Sequence, residues 1–130
     1  MPRTLVIFYK EDDDSVPVLE YFQHIPEQAR YKLISRIQLL REKGHELRRP
    51  CCDYLRNDIY ELRASYRNIQ YRLLYFFYGR EAVVVSHGLV KEKRVPDREI
   101  DLAVRRLAKF MKHPDRHSYI RLEKWHEQST

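Results

Sequence analysis

The chain has 130 residues, with 25 Lys and Arg against 19 Asp and Glu, a formal net charge of +6 and a pI near 9.4. This length suits one domain able to bury its own core, so folding requires neither a disulfide nor a structural metal. The positive surplus favours encounter with nucleic acid or acidic partners. Cys51 and Cys52 are adjacent with only His45 nearby, too few ligands for a zinc cage, and read as reduced thiols; no metal and no cofactor is expected. No apolar run reaches the length of a membrane span, and Leu5–Tyr9 is too short for a signal-peptide core. The expected location is therefore cytoplasmic, without a membrane partner.

Leu5-Val6-Ile7-Phe8-Tyr9 reads as a buried first strand, followed by an acidic turn at Glu11–Asp14. Ser15 is expected to cap a short helix with Pro17 in its first turn, running to His24. Pro26 opens a longer helix that ends at Gly44, with Ala29, Leu33, Ile37 and Leu40 forming its apolar stripe. Arg30, Lys32, Arg36, Arg41 and Lys43 lie largely off that stripe. Residues 45–58 are expected to form an irregular basic loop carrying Arg48, Arg49 and Arg56. Three strands follow, Ile59–Ala64, Ile69–Tyr78 and Ala82–Val90, whose short connections make an antiparallel meander. Pro96 opens a last helix to Lys112, its predicted stripe being Ile100, Ala103, Val104, Leu107, Ala108 and Met111. The tail holds Tyr119, Ile120, Leu122 and Trp125 among charged residues and suggests at most a further short helix. Helices grouped beside an antiparallel meander indicate an α+β fold.

Strand alternation places Ile59, Glu61 and Arg63 on one face of the first meander strand, and Tyr60, Leu62 and Ala64 on the other. In the second, Arg72 interrupts a run that is otherwise apolar and aromatic. In the third, Val83, Val85, His87, Leu89 and Lys91 alternate with Val84, Ser86, Gly88 and Val90. Arg63, Arg72, His87 and Lys91 therefore converge at one end of the sheet. Two readings of these charges stay open: a structural ion pair of Arg72 with Glu61 or Asp58, or a basic cleft that holds an RNA phosphate and stabilises charge as it is attacked. A general base requires a lysine depressed by cationic neighbours or a neutral His87. Tyr71, Tyr75 and Tyr119 read either as base-stacking residues or as core.

The runs Glu61-Leu62-Arg63, Tyr71-Arg72-Leu73-Leu74-Tyr75-Phe76-Phe77 and His87-Gly88-Leu89-Val90-Lys91-Glu92, with Pro96, Glu99-Ile100, Ala103 and Arg106, resemble the phage-derived, HigB-like branch of the RelE/ParE toxin superfamily. The resemblance covers residues 3–112, giving a RelE-like toxin domain over 1–112 and a tail over 113–130. It implies an N-terminal strand and two-helix hairpin packed on an antiparallel sheet with the meander and a C-terminal helix. It also implies the toxin of a type II toxin–antitoxin pair: a metal-independent, ribosome-dependent endoribonuclease that promotes attack of a messenger 2′-OH on the adjacent phosphate. By motif, Arg63 and Arg72 are the phosphate-binding residues, and Lys91 and His87 complete the catalytic set. Lys93 matches a second lysine region. The branch usually has two consecutive lysines after its last strand, whereas here Lys91 is followed by Glu92 and then Lys93-Arg94.

Lys93, Arg94, Arg48, Arg49 and Arg56 are expected to contact RNA, the messenger on the ribosome being the principal partner. A cognate antitoxin, acidic or of helix-turn-helix type, is the other partner. Two further functions are compatible with the same scaffold: a ParE-like toxin that binds DNA gyrase without cutting RNA, and a basic interaction protein without activity.

Overall fold

The computed structural model describes residues 3–90 and 93–120. Lys91, expected at the catalytic centre, and Leu122 and Trp125 of the tail lie outside these residues. Three helices and a six-stranded sheet form a mixed α+β fold, with strand order β2-β3-β4-β5-β1-β6. The strands are β1 (Leu5–Tyr9), β2 (Cys52–Arg56), β3 (Ile59–Tyr66), β4 (Ile69–Tyr78), β5 (Ala82–Val90) and β6 (Ser118–Tyr119); the helices are α1 (Pro17–His24), α2 (Glu27–Lys43) and α3 (Asp97–Lys112). No helix among the described residues is long and apolar enough to cross a membrane.

The meander has four strands, β2 to β5, rather than three. The expected basic loop contains β2, which pairs antiparallel with β3. The β2–β3 connection has only Asn57 and Asp58, and β3–β4 only Arg67 and Asn68, all four with positive φ. Two successive left-handed residues match the right-handed twist of the flanking strands, which is why Asn and Asp are favoured there. β1 pairs parallel with β5 at its other edge, and β6 pairs antiparallel with β1. The residues at 118–119 are thus a strand, not a helix.

Each sheet face has its own core. On one, α1 and α2 lay Val18, Phe22, Ala29, Leu33, Ile37 and Leu40 against Leu62, Leu73, Tyr75, Val83 and Val85. On the other, α3 lays Ile100, Ala103 and Phe110 against Ile7, Ile59, Leu74, Phe76 and Val84. The α2 stripe is as predicted. In α3 the buried stripe runs through Ile100, Ala103, Arg106 and Phe110, whereas Met111 is 45% exposed. The stripe is rotated because Phe110 packs edge-on to Phe76 and Tyr78, with centroids 6.0 and 5.0 Å apart, and Arg106 reaches the polar Ser86 beneath it.

Two helix ends differ in how they are set. α1 has Val16 at its N-cap with no side-chain cap; Ser15, predicted to cap it, instead bonds Asp13 through both its amide and its hydroxyl. α2 ends where Gly44 takes φ +54°, and an added Cβ there would strike the Thr4 hydroxyl. Glycine is required at that position both for its handedness and for its size.

Candidate functional site

β3 and β4 set Arg63 directly opposite Arg72. Like charges facing each other across a ladder repel, and Glu61, two residues from Arg63 on the same face, resolves the conflict. The Arg72 Nη1 donates to both Glu61 carboxylate oxygens at 2.9 and 2.8 Å, while Arg63 Nε lies 3.5 Å from the first of them. Glu61 is 2% and Arg72 7% exposed, so this is a buried pair. Its desolvation is offset only by such close, bidentate geometry. The second Arg72 amine, Nη2, donates to the Lys93 carbonyl at 2.6 Å. Arg72 is therefore a strut that ties the basic segment Lys93-Arg94 to the sheet. Arg63 keeps more of its side chain in solvent, and its own carbonyl accepts from Arg36 of α2 at 3.1 Å.

His87 joins this face through a β-bulge. Tyr75 pairs with Val85, and the next β4 partner, Leu74, pairs with His87, so Ser86 is the extra residue. Regular alternation would have kept His87 on the Val83–Val85 face, as expected from sequence. The inserted residue transfers His87 and Leu89 to the opposite face, beside Leu74 and Arg72. Arg72 faces Leu89, which makes Arg72 and His87 diagonal neighbours, about 7–8 Å apart.

The His87 ring is 7% exposed and held at both nitrogens: Nδ1 is 2.8 Å from Ser86 Oγ and Nε2 3.0 Å from Glu99 Oε1. Burial, and secondarily the nearby Arg106 guanidinium, hold its pKa below the ordinary 6.5, against the opposing pull of Glu99. That shift favours the neutral ring. A neutral imidazole has one donor and one acceptor, so Nε2–H donates to the Glu99 carboxylate and Nδ1 accepts the Ser86 hydroxyl proton. Arg106 Nη1 reaches Ser86 Oγ at 3.4 Å and Nη2 reaches Glu11 at 3.4 Å, extending the chain of polar contacts under α3. Glu99, Ser86 and Arg106 received no individual role from the sequence; the Glu99-Ile100 and Arg106 positions carried only the resemblance.

Residues 20–108 match the family of phage-derived Gp49-like proteins. The chain belongs to that family. It is a toxin-like family, and the match spans every residue of the sheet-end cluster from Glu61 to Glu99. No curated protein matches the chain.

In this Gp49-like chain the remaining expected RNA contacts separate into groups. Arg94 is exposed beside the cluster, 3.9 Å from Asp97. Arg56 bonds Asp101 at 2.7 Å and so ties β2 to α3. Arg48 and Arg49 border a hollow of about 440 Å³ with Tyr54 and Tyr60; Arg49 binds Asp53 at 2.9 Å and Arg48 donates to the His45 carbonyl at 2.7 Å. Tyr71 and Tyr75, considered as base-stacking residues, are buried at 4% and 1% and are core, while Tyr119 is half-buried on the edge strand and stacks on Phe8 at 6.5 Å. Gly88, next to His87, serves the other face: an added Cβ would collide with the ring of Tyr21, whose hydroxyl donates to the Leu89 carbonyl at 2.9 Å. The His-Gly pair thus divides its duties, His87 to the polar face and Gly88 to close helix packing.

Proposed function

We propose that this Gp49-like protein is the toxin of a toxin–antitoxin pair and cuts messenger RNA on the ribosome without a metal ion. One observation supports this reading above the others: the bulge at Ser86 gathers Arg63, Arg72 and a neutral His87 at one end of one sheet face. In the reaction the 2′-oxygen attacks the adjacent phosphorus, the 5′-oxygen of the next nucleotide leaves, and a 2′,3′-cyclic phosphate results. Arg63 is the accessible cation that clamps the phosphate and stabilises its growing charge. Lys93 and Arg94 extend the phosphate path, held in place by Arg72. The Glu99 carboxylate, oriented by the His87 Nε2–H that it accepts, is the group that takes the 2′-OH proton, with Ser86 fixing the ring from behind. Lys91, the basic residue that the motif places after β5, is the candidate donor to the leaving oxygen.

A gyrase-directed toxin that cuts no RNA is favoured by a different observation: both His87 nitrogens and both terminal Arg72 amines already have protein partners. Purified toxin on programmed ribosomes separates the two. The RNA-cutting reading predicts fragments ending in 2′,3′-cyclic or 3′-phosphate. An intact messenger, or fragments ending in 3′-hydroxyl, refutes 2′-OH attack. A neighbouring small helix-turn-helix protein that co-purifies with the chain would identify the antitoxin.

A further inference from the structure

The β3–β4 hairpin reaches beyond Arg63 and Arg72 and ends at the Arg67-Asn68 turn. There Pro26, Gln28, Tyr66, Arg67, Ile69 and Tyr71 enclose an open hollow of about 300 Å³, near the lower end of small-ligand sites. Its floor is apolar, with buried Tyr71 and half-exposed Ile69. Its wall is the ring of Tyr66, which two cations approach: Arg67 Cζ at 5.3 Å and Lys32 Nζ at 5.9 Å from the centroid. Lys32 is fixed there by donating to the Ser65 carbonyl at 2.9 Å.

The charge around the hollow is positive. The nearest acid on α2, Glu27, is taken by the Tyr31 hydroxyl at 2.8 Å and by Arg30 at 4.0 Å. Among the described residues, no carboxylate lies within ion-pair distance of Lys32 or Arg67. Gln28 adds an amide that both donates and accepts at the rim. A flat aromatic wall, an apolar floor, one amide and two unneutralised cations match an unstacked base with its flanking phosphates. A neutral protein segment would match the floor but leave two cations without anions, and an acidic one would supply anions without the flat ring that Tyr66 is placed to stack. From sequence, Lys32 is one of several α2 cations expected to make diffuse phosphate contacts with ribosomal RNA, and Tyr66 carries no reading of its own.

We propose that this hollow binds an unstacked base of single-stranded RNA, with Tyr66 as the stacking surface and Lys32 and Arg67 on the adjoining phosphates. The inference rests on the RNA-directed reading above and adds a second contact to it. Tyr66 lies three residues along β3 from Arg63, about 10 Å, on the opposite face. A strand crossing the open end of the sheet would meet both.

The test uses the full chain and a labelled single-stranded oligoribonucleotide, 2′-O-methylated so that no 2′-OH attack can occur, followed by fluorescence anisotropy. The same oligonucleotide with abasic positions is the comparison. Tyr66→Ala should weaken binding about tenfold or more, the usual effect of losing one stacked base, whereas Tyr66→Phe should stay within about twofold of wild type. Arg67→Ala, at an exposed side chain, should weaken binding and flatten its salt dependence while leaving the difference between the intact and abasic probes. Wild type should bind the abasic probe about as weakly as Tyr66→Ala binds the intact one. Equal affinity of wild type for both probes overturns the proposal, as does a loss in Tyr66→Phe as large as in Tyr66→Ala, or no binding by wild type. Base-dependent binding by a protein that fails to cut ribosome-bound messenger would refute the nuclease reading alone and leave this site standing.

Discussion

The two faces of the sheet use the same strands under different rules. Toward α1 and α2 the face is apolar and tightly fitted: Leu62, Leu73 and Val83 are fully buried, and Gly88 is bare so that Tyr21 can lie against it. Toward α3 the face begins with Ile59, Leu74 and Phe76 and then, at the end where β3 turns into β4, gives way to Glu61, Arg72 and His87. The first face can lose a methylene at the cost of a cavity. The second cannot lose a partner without stranding a charge. Close apolar packing and buried charge thus lie on opposite sides of a single layer of backbone.

The largest effect is expected on the charged face. Glu61→Ala leaves Arg72 buried beside Arg63 and should cost about 3–5 kcal/mol, read as a shift in the urea midpoint. Replacing Glu61 and Arg72 together by apolar residues of similar volume should recover most of that loss. A double variant as unstable as the single one would show that the pair is not an isolated unit.

On the apolar face, Leu73→Ala should cost about 2–5 kcal/mol through the cavity it leaves, and no second-site charge change should restore it. Gly88→Ala adds a methyl group where Tyr21 already packs and should cost about 1–3 kcal/mol. Combining it with removal of the Tyr21 ring should yield less than the sum of the two losses. Strict additivity would show that Gly88 is kept for another reason.

The smallest stability effect is a slope with pH. His87 has a folded pKa below its ordinary 6.5, so the unfolded chain takes up a proton first as pH falls. Its contribution is complete above about 6.5 and is lost as pH drops from there through the lower folded value. His87→Gln should flatten the fall of the thermal midpoint over that interval. An unchanged slope would mean that the Glu99–Ser86–Arg106 surroundings do not hold the ring neutral.

Much of the fold was legible in the residues because it obeys simple periods. The α2 stripe of Ala29, Leu33, Ile37 and Leu40 and the limits of β4 and β5 follow from spacing alone. β2 was hidden because Cys52–Arg56 is short and half polar, although Asn57-Asp58 directly before Ile59 is a two-residue hairpin signal. The rotated stripe of α3 was hidden because an arginine sits on its buried side. The sheet-end cluster was foreseen as a set of residue types but not as a geometry. A one-residue bulge has no periodic signature, and it alone decides which face His87 occupies. The partnership of Glu61 with Arg72 was one of two readings open from sequence, and a bidentate contact in the protein interior decides that the pair forms.

Arg63 tests the central claim most directly, because Glu61 keeps Arg72 when Arg63 is lost and the fold is left with its buried pair intact. The measurement is single-turnover cleavage of messenger on saturating programmed ribosomes by Arg63→Ala, with the thermal midpoint as control. Arg63→Ala is expected to keep a midpoint close to wild type and near-normal affinity for ribosomes, with a saturated rate about 100-fold lower. A folded Arg63→Ala that cuts at the wild-type rate would contradict that claim and place the reacting phosphate elsewhere.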